Sequence, residues 1–343
     1  MKNFIQKYFY QSIVLGLLIV VSIVLLLGYL VTNVFNVTPG YIGANKQVLM
    51  TSGDSSITLD EGIFIAKDMQ AYYEEYYVSQ GQTVNWKVVN DNGDTYEQVI
   101  LNDTLQLLKE VFLFSEYAKA NGYELSENEL KNIKSDVSAY LSDSPAALIL
   151  ATGANSDLLN RFYTRTAYYN KVCDEIYNNA DLTVDEEDVR QCLVAIATIS
   201  PDDFDSPKQT ADKILERVNN GEVLAGVADK YGATVTKTNI GSGSLEGNEL
   251  EKLCMSLKDS ECKLIEIKGT YYVVYCYLAC DEDKTDAAKE QKISDLKEKA
   301  KLDYYNELIK TMPIELDESA WETINFNTAI YTKDNIGDTI LTE

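Results

Sequence analysis

The chain contains no histidine in 343 residues. Imidazole is the side chain that most often exchanges protons near neutral pH, and it is also the commonest metal ligand in proteins. Its absence excludes the Ser-His-Asp and Cys-His arrangements of nucleophilic hydrolases. The six cysteines are not spaced as C-x2-C pairs, so a zinc site is not expected. Phosphate-binding motifs such as the P-loop and G-x-G-x-x-G are also missing. The sequence therefore predicts neither a metal nor a cofactor.

Positive charge is scarce as well. The chain has 30 Lys and Arg against 54 Asp and Glu, which gives a formal net charge of −24. Such a surface repels the phosphate backbone of nucleic acids and anionic lipid headgroups. The composition therefore argues against nucleic-acid binding. It favours a soluble surface that attracts basic polypeptides weakly.

A long hydrophobic run lies near the N-terminus. Ile13–Val31 carries no charge and is about long enough to cross a hydrocarbon layer of ~30 Å as a helix. Lys2 and Lys7 precede it, so the positive-inside rule places the N-terminus in the cytoplasm. A cleavable signal peptide is the alternative, but its apolar region would be shorter, and Ile42–Ala44 is a poor cleavage site. We therefore expect residues 1–35 to form an uncleaved single-pass membrane anchor with the main domain outside the cell.

Beyond a predicted linker at 36–56, apolar residues recur at helical spacing through most of the chain. The predicted helices are Leu59–Val78, Asp103–Ala120, Glu127–Leu141, Asp157–Asn178 and Ala287–Met312. Ser126 and Glu129 match a capping box, in which each side chain satisfies the other residue's backbone N–H. Residues 331–343 are expected to be a loose tail.

The segment between the first two of these helices allows two interpretations. Thr83–Val89 and Thr95–Ile100 flank the turn pair Asn92-Gly93, which is typical of a β-hairpin. The same residues also fit a loop followed by a helix that begins near Tyr96. The sequence alone leaves both open.

Gln209–Gly232 contains two short amphipathic patterns separated by Asn220-Gly221, a helix stop. An apolar run typical of a buried central strand, Leu193–Ile199, precedes them, and a strand-like segment, Gly269–Leu278, follows. This arrangement resembles the parvulin domain of prolyl isomerases. The resemblance implies a small antiparallel sheet flanked by helices.

Three further segments resemble the SurA/PrsA-type extracytoplasmic foldases, in matching order and spacing. They are Ala118–Leu130, Thr152–Ile176 and Leu182–Gln191. The resemblance implies an α+β chain in which a parvulin-like domain is inserted into a helical chaperone domain that a C-terminal helix completes. The implied limits are 57–182 for the helical part, 183–283 for the parvulin-like domain and 284–330 for the returning helix and strand.

The resemblance also indicates which residues stand at the isomerase site. Two histidine positions of the family are occupied by Ala197 and by Tyr271 or Tyr272, and the family's aspartate by Asn239. No confident catalytic residue follows from this. The proline-binding surface keeps its apolar character, and its predicted substrate-binding residues are Ile240, Leu250, Met255 and Tyr272.

Two disulfides are possible in a domain outside the cell. Cys254 and Cys262 are close in sequence, and Cys192 and Cys276 fall on strands that are neighbours in the parvulin fold. Free buried thiols are the alternative.

These features together predict a membrane-anchored chaperone or foldase whose partners are unfolded or nascent secreted polypeptides. Its parvulin-like domain is expected to be weak or inactive as an isomerase, because both histidines are replaced. Two alternatives are an active peptidylprolyl cis-trans isomerase and a structural subunit of an envelope complex, which would have one tight partner instead of many clients. A homodimer is possible.

Overall fold

The computed structural model describes residues 46–245 and 247–332. The chain divides into two units, one made of Met1–Asn178 with Leu302–Glu343 and the other of Asn179–Lys301, so the second unit is an insertion in the first. The predicted membrane segment Ile13–Val31 lies outside the described residues. Among the residues that are described, no helix combines the length and the apolar character needed to cross a membrane.

The first unit consists of helices with a small sheet. Its strands are β1 (Val48–Ser52), β2 (Ser55–Thr58) and β7 (Glu315–Leu316). Its helices are α1 (Leu59–Ser79), α2 (Tyr96–Ala120), α3 (Glu127–Asp143), α4 (Ala146–Thr152), α5 (Ser156–Asn179), the last part of α10 (Glu282–Thr311) and the single turn α11 (Glu318–Trp321).

Helix α2 decides between the two interpretations of the segment before it. The Thr95 side chain accepts a hydrogen bond from the Gln98 N–H, and the Gln98 side chain accepts one from the Thr95 N–H, which is a capping box. The helix therefore begins at Tyr96, as the second interpretation has it. Val89 and Thr95 form only an isolated bridge. The predicted capping box of Ser126 and Glu129 is present at the start of α3.

The predicted linker at 36–56 is wrong for its second half, because strand β1 lies there. Leu49 and Met50 are 0% and 1% exposed. The sheet order is β2-β1-β7, and Met50 pairs with Leu316 in an antiparallel ladder. Strand β1 was not predicted because one of its partners, β7, lies more than 250 residues away in the chain.

The C-terminal helix returns to the N-terminal helices, as the sequence predicts. Phe114 of α2 is fully buried, and its ring lies 5.7 Å from the ring of Tyr169 in α5 and 5.8 Å from that of Tyr304 in α10. Aromatic pairs at this separation add to the stabilisation that apolar burial provides. Three helices that are distant in sequence therefore meet at Phe114.

A buried charge cluster joins helices α1, α2 and α5. Glu61 is 1% exposed and lies 2.9 Å from the Arg161 guanidinium and 3.4 Å from that of Arg165. Arg165 also pairs with Glu116 at 2.8 Å. Burial raises the pKa of Glu61, although both arginines oppose that shift. Since a buried charge that loses its partner is strongly destabilising, the cluster holds these helices in one arrangement.

The second unit is a four-stranded antiparallel sheet with helices on both faces. Its strands are β3 (Gln191–Ile199), β4 (Thr234–Gly241), β5 (Cys262–Ile267) and β6 (Thr270–Leu278), in the order β4-β3-β6-β5. Its helices are α6 (Glu186–Val189), α7 (Pro207–Asn219), α8 (Leu224–Lys230), α9 (Glu249–Ser256) and the first part of α10. Gly221, with φ of +93°, provides the left-handed residue that separates α7 from α8.

Both faces of the central strand β3 are buried. Ala195, Ala197 and Ile199 pack with α7 and α8 on one face, whereas Cys192, Val194 and Ile196 pack with α9 on the other. Side chains of a strand alternate between faces, so one apolar run supplies both layers. The resemblance to a parvulin domain agrees with this arrangement of a small antiparallel sheet between helices.

Replacement of Gly62 by Ala tests the packing of α1. An added Cβ would lie 2.6 Å from Leu49 Cδ2 and 3.3 Å from Trp321 Cζ3. We expect a net loss of about 1–2 kcal/mol, because overpacking costs roughly 1–3 kcal/mol and the better helix propensity of Ala returns up to about 1 kcal/mol. Gly226→Ala in α8 meets no atom within 4 Å and is the control, with an expected gain of up to about 1 kcal/mol. Denaturant unfolding measures both, and a stabilised Gly62→Ala variant would contradict this packing.

Candidate functional site

Four predicted substrate-binding residues lie in one apolar cluster. Ile240, Leu250, Met255 and Tyr272 all pack on the face of the four-stranded sheet that α9 covers. Ile240 and Leu250 are buried, whereas Met255 and Tyr272 are half-buried and reach solvent. We call these four residues the shelf. Met255 and Tyr272 therefore provide the accessible apolar contact area, which suits a proline ring or another apolar side chain.

Two polar contacts hold helix α9 at the shelf. At its N-terminus the Asn248 side chain accepts a hydrogen bond from the Glu251 N–H at 3.0 Å, which caps the helix. At its C-terminus the Arg190 guanidinium donates to the Met255 carbonyl and to the Ala279 carbonyl, each at 2.9 Å. The position of Met255 is thus fixed through its backbone.

The Glu251 carboxylate organises the loop that joins β4 to α9. It accepts hydrogen bonds from the N–H groups of Leu245, Gly243 and Gly247 at 2.7, 3.0 and 3.1 Å. These bonds, that of Leu245 first, lower the pKa of Glu251. The same loop begins directly after Ile240, so Glu251 ties two parts of the shelf together.

Ala197 does not lie at the shelf. It is fully buried on the opposite face of the sheet, against α7 and α8. The residue predicted at a family histidine position therefore lies on the opposite face from the predicted substrate-binding residues, since side chains of a strand alternate between faces. The neighbours of Ala197 in β3, Ile196 and Thr198, are on the shelf side. Thr198 is exposed and pairs directly with Tyr272 across the β3–β6 ladder.

The choice between Tyr271 and Tyr272 follows from the same alternation. Tyr272 packs in the shelf cluster, whereas Tyr271 packs in the cluster on the other face. Asn239 also points away from the shelf side, because its neighbour Ile240 occupies that side. The Asn239 amide donates instead to a carboxylate oxygen of Asp281 at 2.9 Å. The sequence named Asn239 and Ala197 but missed Thr198, which a correct strand register would have identified.

No disulfide joins any of the six cysteines, so neither predicted disulfide is present. Cys254 packs on the shelf face whereas Cys262 packs on the other, so the sheet separates them. Cys276 lies opposite Val194 and not opposite Cys192, whose thiol donates to the Ile240 carbonyl at 3.2 Å. Burial raises the pKa of Cys254 to about 12 and that of Cys276 to about 11. These thiols are protonated at neutral pH and are therefore poor nucleophiles.

The chemistry available at the shelf follows from these side chains. The shelf and its neighbours Ile196 and Thr198 contribute apolar groups and two hydroxyls, with no carboxylate, amine or imidazole among them. Within the described part of the chain, no group of three or more acidic or cysteine side chains is placed to hold a metal ion. The site is therefore suited to binding apolar groups and not to proton transfer near neutral pH.

Replacement of Glu251 by Gln tests the loop at the shelf. We expect a lower thermal midpoint for the second unit at pH 7, because an amide accepts the three N–H bonds more weakly than a carboxylate. The lowered pKa of Glu251 means that its contribution is present above its ordinary value of 4.5 and is lost as pH falls through the lowered pKa. The difference in thermal midpoint between the variant and the wild type should therefore become smaller at acidic pH.

The matched control for this variant is Glu249→Gln, which removes an exposed charge from the same first turn. It should leave the midpoint near that of the wild type. Equal effects of the two variants in calorimetry would show that helix charge, and not the loop bonds, is responsible.

No protein-family model matches the chain, and no curated protein matches it either. Similar solved structures include the foldase PrsA from Lactococcus lactis, at 13% identity over 80% of this chain and 96% of that chain, with a TM-score of 0.29. The peptidylprolyl isomerase PrsA from Bacillus cereus is similar at 15% identity over 75% and 98%, with a TM-score of 0.31. A SurA-like chaperone from Campylobacter jejuni is similar at 10% identity over 78% and 98%, with a TM-score of 0.28. The structures that this chain is similar to are thus PrsA foldases and a SurA-like chaperone.

Proposed function

We propose that this protein is a membrane-anchored extracytoplasmic chaperone or foldase that assists the folding of secreted proteins. Its partners are unfolded or nascent secreted polypeptides. Residues 13–31 anchor it as a single-pass helix with the main domain outside the cell. The observation that carries the proposal is the shelf, an apolar surface on a parvulin-like sheet that keeps binding groups and has no imidazole.

The chemistry of prolyl isomerisation explains why the shelf favours binding over catalysis. The barrier is amide resonance, about 18–20 kcal/mol, and no covalent bond breaks. An enzyme lowers it by holding a twisted amide in a dry apolar cradle with polar groups oriented at its centre. Beside the shelf, that role would fall to the hydroxyls of Thr198 and Tyr272, since the chain has no imidazole. The parvulin-like domain is therefore weak or inactive as an isomerase.

The surface of the first unit adds a second feature that suits polypeptide binding. Tyr76, Val88 and Val89 are 57%, 56% and 57% exposed. Tyrosine provides apolar contact area together with a hydroxyl, and so it adapts to many partners. Tyr73, in contrast, is buried against Trp86 and belongs to the core. Acidic charge elsewhere keeps such a surface soluble and favours basic clients.

Active isomerisation is the second candidate, and one observation favours it. Thr198 and Tyr272 are direct cross-strand neighbours, so both hydroxyl-bearing side chains leave the sheet on the face that carries the apolar shelf cluster. Because the reaction needs no proton transfer, hydroxyl groups alone could orient the amide.

A refolding assay with the full-length chain separates the two candidates. The substrate is a protein whose refolding is limited by a trans-to-cis proline step. We expect suppressed aggregation of the unfolded substrate with no catalytic acceleration of the slow phase. A rate within about tenfold of an intact parvulin, equivalent to about 1.4 kcal/mol in the barrier, would overturn the proposal.

The variants Thr198→Val and Tyr272→Phe remove the two hydroxyls with little change of shape. For a chaperone they leave aggregation suppression unchanged, whereas for an isomerase they reduce the acceleration. Tyr271→Phe is the matched control, because its side chain lies on the other face of the same strand.

A further inference from the structure

The segment after α11 lies on the first unit in the manner of a bound peptide. Residues 322–332 form no helix or strand. Ile324, Phe326 and Ile330 are 6%, 3% and 4% exposed, whereas the residues between them, 325 and 327–329, face solvent. The segment is therefore held by a few inward side chains while the rest of it remains outside.

Side chains of the helices bind the backbone of this segment. Glu74 of α1 accepts hydrogen bonds from the N–H groups of Ile330 and Tyr331 at 2.7 and 2.8 Å. Gln70 of the same helix donates to the Thr328 carbonyl at 2.9 Å. These contacts recognise peptide groups, which every residue except proline offers in full.

The other end of the segment is bound in the same way. Glu97 of α2 accepts a hydrogen bond from the Phe326 N–H at 2.5 Å, and the Lys67 ammonium donates to the Asn325 carbonyl. Five backbone groups of an irregular segment are thus bound by four side chains of two helices. Because backbone groups carry no sequence information, this mode of binding tolerates many sequences.

The burial of Gln70 and Glu74 indicates that both side chains are positioned to bind a peptide backbone. Gln70 is 0% exposed and Glu74 is 3% exposed. Burying an amide or a carboxylate costs free energy unless it is hydrogen-bonded. Glu74 is further held by Gln70 at 2.7 Å and by the Trp86 indole at 3.2 Å. These residues therefore form a built polar site that the segment completes.

Two apolar anchors complete the contact. The Phe326 ring lies 4.8 Å from the Trp86 ring, edge to face, and 5.4 Å from the Lys67 ammonium. Ile330, four residues later, is the second buried anchor. A ligand must therefore provide two apolar side chains at this spacing, together with backbone groups that can form the same hydrogen bonds.

We propose that Lys67, Gln70, Glu74, Trp86 and Glu97 form a peptide-binding groove that the chain's own C-terminal segment occupies. Its ligand is a peptide with an aromatic residue and an aliphatic residue four positions apart. Such a peptide in an unfolded client displaces the segment, so the groove is regulated by its own tethered occupant. The identity of the client rests on the proposed function, whereas the groove is independent of the shelf.

Tethering makes the competition quantitative. A segment joined by a short connection is present at an effective concentration on the order of millimolar. The apparent affinity of a free peptide is then its affinity for the open groove multiplied by the fraction of molecules whose groove is open. Weakening the segment without altering the groove should therefore strengthen the binding of an added peptide.

The test uses the full-length chain with Phe326→Ala and Ile330→Ala together, and a fluorescent peptide with the sequence of residues 322–332. We expect the double variant to bind this peptide at least about tenfold more tightly than the wild type, in line with a largely occupied groove. Fluorescence anisotropy measures the affinity. Asn327→Ala, at an exposed position of the segment, is the matched control and should bind as the wild type does.

A peptide in which the Phe and the Ile are replaced by Ala controls for specificity and should not bind. The proposal is overturned if the double variant keeps the circular dichroism of the wild type and binds the peptide no more tightly than Asn327→Ala. Aggregation suppression is measured separately, so a failed groove and a failed chaperone function give different results.

A second measurement covers the case in which the double variant does not fold. Hydrogen exchange at the amides of Phe326, Ile330 and Tyr331 is followed in the wild type. An excess of unlabelled peptide should accelerate exchange at all three, because their acceptors are then taken by the peptide. Unchanged exchange at saturating peptide contradicts displacement.

Discussion

The register of strand β3 is the constraint on which the second unit depends. This strand pairs on both edges and is buried on both faces, so each of its residues has one allowed side. Ala197 packs under the helices α7 and α8, and Thr198 emerges beside Tyr272 on the shelf side. A shift of one residue would bury the hydroxyl and expose the alanine, with a loss of packing on both faces. The composition of the shelf is therefore a consequence of how the whole sheet pairs.

The first unit depends in the same way on contacts between residues that are far apart in the chain. Strand β1 is completed by β7, and Phe114 by Tyr304. Each of these contacts joins the beginning of the unit to its end across an inserted domain. The order of the chain thus requires the C-terminal residues to return before the core of the N-terminal helices is complete.

The absence of histidine gives the two surfaces a common character. The shelf offers apolar groups with two hydroxyls, and the groove of Lys67, Gln70, Glu74, Trp86 and Glu97 offers hydrogen bonds to a peptide backbone with aromatic contact. Both arrangements are suited to the proposed binding of polypeptides, which changes no covalent bond. Binding of this kind is sufficient for the proposed chaperone function, because a chaperone acts by reversibly shielding apolar surface.

Local patterns in the sequence predicted the long helices, the capping box at Ser126, the buried strand around Leu193–Ile199 and the apolar character of Ile240, Leu250 and Met255. These follow from periodicity and composition, which are local properties. The sequence could not place Ala197 relative to the predicted substrate-binding residues, identify β1 as a strand or show that no disulfide joins the six cysteines. These features depend on strand register, on distant pairing and on the separation of Cys254 from Cys262 by a sheet, all of which arise where residues meet across long stretches of chain.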